Sequence, residues 1–206
     1  MISLKRTLLL VTSVLVVISG CARLLEPVVL PTAQIDKINA SVTLIIEPGE
    51  PVLITNLGQT FFMQLEGLDI GPALQQAFLW ALQQMFSTVN SEDRMPKREV
   101  CDDEILYLRV EPRSLLLSGV GVNDGRFVDK IQMTIYTELS ITLLDCEGLV
   151  VTEMVTTERG THTHGVGGDW AIEAVARDAI RRNVAKFMRE FAKLPKVRQR
   201  LDLVQN

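Results

Sequence analysis

The sequence contains few of the residues that enzymes use for chemistry. It has two histidines, His162 and His164, and three cysteines, Cys21, Cys101 and Cys146. It lacks the patterns of a serine-hydrolase nucleophile elbow, a zinc protease, a dithiol redox pair and a phosphate-binding loop. Any histidine-dependent mechanism would therefore have to use one short segment. These absences predict that the protein is not an enzyme and requires no cofactor.

Long apolar runs and an excess of positive charge are absent as well. The apolar stretch from Leu8 to Ile18 is well short of the ~20 residues that a transmembrane helix needs. The 206-residue chain has a formal net charge of -4, and removal of Lys5 and Arg6 would leave -6. Nucleic acid is therefore not an expected partner. Positive charge is concentrated near the C-terminus, where residues 177–202 include nine basic and three acidic side chains.

The N-terminal segment has the order of residues found in a secretion signal. Lys5 and Arg6 precede the apolar stretch, which leads into Ile18-Ser19-Gly20-Cys21. These four residues resemble the lipobox of bacterial lipoproteins. In that family the cysteine thiol receives diacylglycerol and the signal is then cleaved. The resemblance implies cleavage between Gly20 and Cys21 and a lipid on Cys21.

The residue after the cysteine bears on which membrane the lipid enters. In enteric lipoproteins an aspartate at this position favours retention in the inner membrane, whereas this chain has Ala22. The resemblance therefore implies an outer-membrane lipoprotein that faces the periplasm, with the inner membrane as the less favoured location. The alternative of an ordinary cleaved signal followed by an incidental cysteine stays open.

The pattern divides the chain into a signal peptide at 1–20, a lipidated N-terminus and tether at 21–40, and a single domain at 41–206. The tether contains Pro27 and Pro31 and shows neither helical nor strand periodicity. At ~3.3 Å per residue it would reach up to ~60 Å. Its apolar residues leave two alternatives, contact with the membrane or a partner, and packing against its own domain.

Alternation and turn residues predict the strands. The strict alternation from Ile131 to Leu144 predicts a half-buried antiparallel strand. The turn signal at Asp145–Gly148 joins it to the next strand, so three consecutive strands form a meander. Pro112 indicates an edge or a bulge in the strand before them. The predicted strands lie at 41–47, 104–110, 115–117, 131–144 and 149–157, with a hairpin around Asn56 between 52 and 65.

Two stretches carry apolar residues at a spacing of three to four. The first predicts a helix from Pro72 to Thr88, followed by a polar loop up to residue 103. The second begins at Asp169, a good N-cap, and is predicted to end near Leu194, before a proline. Two helices on one face of a sheet bury both apolar stripes. The predicted fold class is therefore α+β, a two-layer sandwich with a mostly antiparallel sheet and two helices on one face.

The order of lipobox, tether, strand, helix, meander and long C-terminal helix is similar to small outer-membrane assembly lipoproteins of the LptE and PelC kind. The similarity spans residues 41–194 and includes no residue motif, so it implies no functional residues. It implies a structural or assembly subunit of a cell-envelope complex, anchored to the membrane by lipid and bound to a protein partner. The alternative is a periplasmic carrier that binds a lipid, a glycan or a small solute between sheet and helices.

Cys101 and Cys146 are the thiols that remain once Cys21 carries a lipid. The periplasm is oxidising, so a disulfide between them is expected. A hairpin that turns at Asn123-Asp124 would place residues 101 and 146 opposite each other, within the ~4.4 to 6.8 Å Cα separation that a disulfide requires. Two buried, reduced cysteines are the alternative.

The two histidines form a weak candidate metal site. In an extended segment His162 and His164 point to the same side, and Glu158 or Asp169 offers a further oxygen ligand. The glycines on both sides of the histidines favour a flexible polar loop instead.

Lys196, Arg198 and Arg200 lie just beyond the predicted last helix. Their expected role is a solvated surface. The alternative is contact with anionic lipid phosphates or with an acidic surface of a partner protein.

Overall fold

The computed structural model describes residues 23–24, 28, 30, 37–46, 54–56, 68–97, 102, 104–123, 128–165 and 170–205. The strands in this part of the chain are β1 (Arg23–Leu24), β2 (Ile38–Ile45), β3 (Ile54–Asn56), β4 (Leu68–Asp69), β5 (Phe86–Glu92), β6 (Ile105–Asn123), β7 (Val128–Leu144) and β8 (Val150–Gly165). The helices are α1 (Gly71–Met85), α2 (Trp170–Glu190) and α3 (Pro195–Gln205), with a turn of 3₁₀-helix at Phe191–Lys193. None of these helices is both long enough and apolar enough to cross a bilayer.

The main sheet has the strand order β5, β2, β6, β7, β8, and β3 also pairs with β6. β2 is parallel to both of its neighbours, and β3 is parallel to β6. β6, β7 and β8 form the predicted antiparallel meander. The fold is α+β and the sheet is mixed: its three longest strands are antiparallel, as predicted, whereas β2, β3 and β5 pair in parallel. The reason is that α1 connects β4 to β5 as a crossover and brings β5 into the sheet parallel to β2.

Two features of the central strands follow from single residues. The pairing of β6 with β7 shifts between Pro112 and Ser114, so Arg113 is the extra residue of a β-bulge. The bulge predicted from Pro112 is confirmed, and β6 continues through it as one strand of 19 residues. Asn56, in contrast, was expected in a hairpin turn and instead lies in β3, which pairs with residues 115–117 of β6.

α1 ends earlier than the apolar spacing predicts, and a strand takes up the first residues of the predicted loop. The chain leaves the helix at Met85 and enters β5 directly, because Phe86 already has extended backbone angles. Residues 86–92 then pair with β2 at the edge of the sheet. Only Phe86 is buried in β5, and the remaining side chains are exposed or half-buried. An edge strand of this kind carries little apolar alternation, so no strand signal is present in residues 86–92.

The C-terminal region contains one more helix than predicted. The chain leaves α2 through the 3₁₀ turn. The backbone N–H of Leu194 donates to the carbonyl oxygen of Phe191 at 3.1 Å. Pro195 then occupies the first position of α3, where the missing N–H of proline has no cost. The expectation that the fold closes near Leu194 is therefore wrong, since the proline begins a helix instead of ending the structured chain.

The helices pack on one face of the sheet. Phe187 of α2 contacts Phe78 of α1 with ring centroids 5.2 Å apart and contacts Phe191 at 4.9 Å. The buried apolar residues of the three helices form one cluster with those of β2, β6 and β7. The helical members of this cluster are Ala73, Leu74, Ala77, Phe78, Ala81, Leu82, Met85, Val175, Ala176, Ile180, Val184, Phe187, Val197 and Leu201.

α2 lies close to the backbone of β8 at Gly160. A Cβ atom added there would lie 2.0 Å from the carbonyl oxygen of Val175 and 2.8 Å from the amide nitrogen of Ala179. Asn183, which is fully buried, donates from Nδ2 to the carbonyl oxygen of Thr137 in β7 at 3.2 Å. The position of α2 is therefore fixed by two features, the absence of a side chain at Gly160 of β8 and the hydrogen bond from Asn183 to β7.

Replacing Gly160 with alanine should destabilise the fold strongly, because backbone atoms of α2 would have to move. The free energy of unfolding should fall by about 2 to 3 kcal/mol, as for an overpacked core. Urea denaturation of a chain that starts at Ala22 measures this. Thr163→Ala, at an exposed position on the same strand, is the control and should change the free energy by less than ~0.5 kcal/mol. Equal stability of the two variants would contradict the close packing.

Candidate functional site

The predicted cleavage and lipidation residues, Gly20 and Cys21, lie outside the described residues. The segment behind them contacts the domain. β1 pairs in parallel with β4, with Leu24 opposite Asp69. Val28 is 9% exposed and belongs to the core cluster, and Leu30 packs against that cluster. At these residues the chain packs against its own domain, which is the second of the two alternatives for the tether.

Val28 lies beside a shallow groove on α2. The groove has a volume of about 230 Å³ and is lined also by Ala174, Arg177, Asp178 and Arg181. It is smaller than the ~300 to 1,000 Å³ of typical small-molecule sites. Its volume is therefore too small for a drug-sized ligand.

Ion pairs on α2 border this groove. Arg181 and Arg182 both bond to the carboxylate of Asp178, the second at 2.9 Å. Burial raises the pKa of Asp178, but the hydrogen bonds from Arg182 and Arg181 outweigh it, so the pKa lies below its ordinary value. The stabilisation that these ion pairs give the folded protein is therefore present at neutral pH. It is lost as the pH falls through the lowered pKa of Asp178.

The side of the meander that faces away from the helices, which we call the open face, is polar at its centre. Leu139, Ile141 and Leu143 of β7 belong to the helix-facing core. Ser140 and Thr142 alternate with them and point to the open face, where they are still only 2% and 3% exposed. Their burial indicates that neighbouring side chains cover the centre of the open face.

One carboxylate joins all three strands of the open face. Glu153 of β8 accepts a hydrogen bond from the Ser140 hydroxyl of β7 and forms an ion pair with Arg113 of β6. Arg113 is the bulge residue, so the bulge supplies this partner. Because Ser140 is buried and Glu153 is engaged twice, the arrangement suits cross-linking of strands rather than catalysis.

The histidines lie in a strand, so the predicted loop at this point is wrong. β8 continues to Gly165, with His162 opposite Met133 and His164 opposite Ile131 of β7. Strand geometry keeps alternate residues on one side. Within the described ranges, however, no group of three His, Cys, Asp or Glu side chains is placed to hold a metal ion. Metal binding at His162 and His164 stays a prediction.

The basic residues Lys196, Arg198 and Arg200 lie on α3. Lys196 and Arg198 are exposed, and Arg200 is half-buried. The Nε of Arg198 donates to the Ala192 carbonyl at 3.4 Å. Lys196 and Arg198 therefore offer positive charge at the start of α3, whereas Arg200 is partly enclosed by the domain.

Cys146 lies in the turn between β7 and β8. It is half-buried and packs against a small second cluster formed by Ile45, Tyr107 and Leu144. Cys146 is disulfide-bonded, and its partner lies outside the described residues. The pairing with Cys101 therefore stays a prediction.

The register on which this pairing was based is wrong. Tyr107 faces Leu144, whereas a turn at Asn123-Asp124 would have placed it opposite Ser140. The cause is that β6 continues to Asn123, so the turn comes later in the chain. A different contact brings residue 102 close to the cluster against which Cys146 packs. The backbone N–H of Asp102 donates to the Tyr107 hydroxyl at 3.1 Å. Residue 102 thus lies beside the cluster that contains Cys146.

Comparison with known proteins shows similarity in structure alone. No known protein family matches the chain, and no curated protein matches its sequence. The protein XCC0632 from Xanthomonas campestris, assigned to DUF330, is 12% identical with a TM-score of 0.51, over 86% of this chain and 97% of that one. This similarity shows the fold.

Weaker similarities have TM-scores below one half. A neuraminyllactose-binding hemagglutinin homologue from Helicobacter pylori is 11% identical with a TM-score of 0.48, over 87% of this chain and 95% of that one. The rare lipoprotein B from Shewanella oneidensis is also 11% identical, with a TM-score of 0.39, over 73% and 94%.

The disulfide can be tested on the unreduced protein. Alkylation followed by mass analysis should yield a peptide pair that joins Cys101 to Cys146, and reduction should lower the free energy of unfolding by about 2 to 4 kcal/mol. The matched control is Cys101→Ala, in which Cys146 should become available for alkylation. Two freely alkylated thiols in the unaltered protein would contradict the pairing.

Proposed function

We propose that this chain is a lipoprotein of the bacterial envelope that is cleaved between Gly20 and Cys21 and anchored by a lipid on Cys21. The observation that carries the proposal is the tetrad Ile18-Ser19-Gly20-Cys21 directly after a short apolar run. Ala22 supports the outer membrane, with the domain on the periplasmic side. The division into signal peptide, lipidated segment and one domain at 41–206 is part of the same proposal.

Within the envelope, we propose a structural or assembly subunit that binds a protein partner. The part of the chain that the structure describes offers polar and charged surfaces, namely the open face and the exposed start of α3. In the serine–carboxylate pair of Ser140 and Glu153, Ser140 is buried, and the exposed Glu153 is engaged by Arg113. These features support an interaction role rather than enzymatic activity.

The carrier alternative needs a cavity between the helices and the sheet. That space is filled by side chains, since Phe187 contacts both Phe78 and Phe191, and all three rings are at most 1% exposed. The groove beside Val28 is small. No observation on the described residues favours a carrier.

The anchor is tested by Cys21→Ser in cells. The variant should accumulate as uncleaved precursor or appear in the periplasmic fraction, because serine has no thiol to receive the lipid. Membrane fractionation and intact-mass measurement report both outcomes. Ser19→Ala, which keeps a small residue in the tetrad, is the control and should remain in the membrane fraction at the mature mass. Membrane attachment of mature Cys21→Ser would refute the proposal.

The partner surface on α3 is tested by removing two exposed charges. After crosslinking in cells, Lys196→Gln with Arg198→Gln should recover about three-fold less partner at low salt than the unaltered protein, and the difference should shrink at high salt. Arg200 is left intact because it is half-buried. The control, Arg94→Gln with Lys97→Gln, removes the same charge from exposed residues after β5. Equal recovery by the two variants would count against α3.

A further inference from the structure

β8 lies at one edge of the main sheet. Among the described strands it pairs with β7 alone, over its full length of 16 residues. Its outer side therefore presents backbone N–H and C=O groups that no described strand uses. The side chains that β8 directs to the open face between residues 153 and 163 are all exposed, namely Glu153, Val155, Thr157, Arg159, Thr161 and Thr163. Their exposure leaves this edge uncovered on the open face.

Features that normally keep an edge strand from pairing are scarce in β8. Such strands are commonly short, or they carry lysine, proline or a bulge. β8 contains neither lysine nor proline, and its only shift of register lies near its start, opposite Leu143 and Leu144. Three of the four large apolar side chains that are exposed in the described ranges, Leu149, Val150 and Val155, lie on β8 or directly before it. The edge therefore has the properties of a site to which another strand can be added.

α2 leaves room beside this edge. Val175 lies next to Gly160 of β8, whereas Asn183, about two turns later in the helix, bonds to Thr137 of β7. Thr137 is opposite Glu158, so the helix crosses from β8 to β7 as it runs toward the start of β8. Beside the earlier residues of β8 the helix backbone lies over β7 or further into the sheet. A strand added there meets no backbone of α2.

The charges on the open face of β8 are self-complementary. Glu153 and Arg159 are the charged side chains among the exposed residues of that face. Each lies three positions from Thr156, one toward the start of the strand and the other toward its end. When two copies of β8 run antiparallel about a two-fold axis at Thr156, Glu153 of each copy therefore lies opposite Arg159 of the other. Val155 of each copy then lies opposite Thr157 of the other.

Other registers lose this match. A two-fold axis perpendicular to the sheet keeps both open faces on the same side and can be moved along the strand only by whole residues. An axis at Val155 places Glu153 opposite Thr157, and an axis at Thr157 places Arg159 opposite Val155. The axis at Thr156 is therefore the one that pairs both charges.

Both charged groups have capacity for this contact. Arg113 and Ser140 bond to the Oε1 atom of Glu153, and the Oε2 atom has no hydrogen-bond partner among the residues that the structure describes. No described carboxylate forms an ion pair with Arg159. Exposed ion pairs of this kind add little to affinity, but they distinguish one register from another.

We propose that two copies of this chain associate through β8, which pairs antiparallel with β8 of the second copy about a two-fold axis at Thr156. Residues 152–160 of each copy form the regular part of this pairing, since the register shift lies before them. The two main sheets then form one continuous sheet, with the helices of both copies on one side and both open faces on the other. The association involves β8 alone and does not depend on a lipid at Cys21.

The pairing is tested by cysteine crosslinking of the full chain. One copy carries Val155→Cys and a second, epitope-tagged copy carries Thr157→Cys, and both substitutions are at exposed positions. The cells are lysed and oxidised with copper phenanthroline. Opposite residues of an antiparallel pair have Cα atoms about 4.5 to 5.5 Å apart, which is within the range that a disulfide requires. A non-reducing gel should show the two copies linked.

The matched control pairs the Val155→Cys copy with a Thr163→Cys copy. Residue 163 is exposed on the same face of β8 but lies six residues, or about 20 Å, from the position opposite Val155. Its crosslinking yield should be at least about five-fold lower, because the disulfide cannot form at that distance. Equal yields for the two pairs, or no linked copies in either, would overturn the proposal. Linkage of Val155→Cys to a different protein without linked copies, identified by mass, would overturn it as well.

The register is tested by reversing one charge. Arg159→Glu places two carboxylates opposite each other at both ends of the pairing and should lower the yield of the 155–157 crosslink at least about three-fold at low salt. Arg189→Glu makes the same change at an exposed position on α2 and should leave the yield unchanged. An equal yield for the two variants would contradict the axis at Thr156.

Discussion

The contact between the backbone of α2 and Gly160 determines where the helical layer lies on the sheet. Val175 and Ala179 occupy space that any side chain at position 160 would need, and Asn183 binds the β7 backbone further along the helix. Once α2 is fixed in this way, Phe187 meets Phe78 of α1, and the 3₁₀ turn directs α3 under the start of the sheet. The arrangement of all three helices therefore depends on one position without a side chain.

The elements that could be predicted from sequence are those with a buried and an exposed side. β7 alternates because Ile141 and Leu143 face the helices while Ser140 and Thr142 face away. β5 could not be predicted in this way, since an edge strand with one buried residue has no alternation. The extension of β8 is not predictable because Gly160 resembles a loop residue, although glycine is required there by the close approach of α2. Pro195 resembles the end of a helical region, although proline is equally suited to the first helical turn.

The residues of the candidate site also differ in whether a local sequence pattern reveals them. The tetrad that ends at Cys21 is recognisable because it is a local residue pattern, and the charge of Lys196 and Arg198 is visible in the sequence. The pairing of Leu24 with Asp69 could not be foreseen, because two residues in a strand produce no periodicity. The polar centre of the open face also has no local signal: Arg113, Ser140 and Glu153 come from three strands and meet through the bulge. The expected register of Cys101 and Cys146 failed because a single turn was placed too early in the chain.

The position of β2 between β5 and β6 has a consequence for the folding of the newly synthesised chain. A protein chain is synthesised from its N-terminus, so β2 emerges before either of the strands that it pairs with. One neighbour, β5, is complete only at residue 92, and the other, β6, begins at Ile105, after more than half of the sequence. Until then β2 cannot take its central place in the sheet, and Val42 and Leu44, which are buried in the finished fold, stay uncovered. An unpaired apolar strand is prone to join neighbouring chains. The time taken to synthesise residues 46–104 is therefore the period in which newly made copies are most exposed to aggregation.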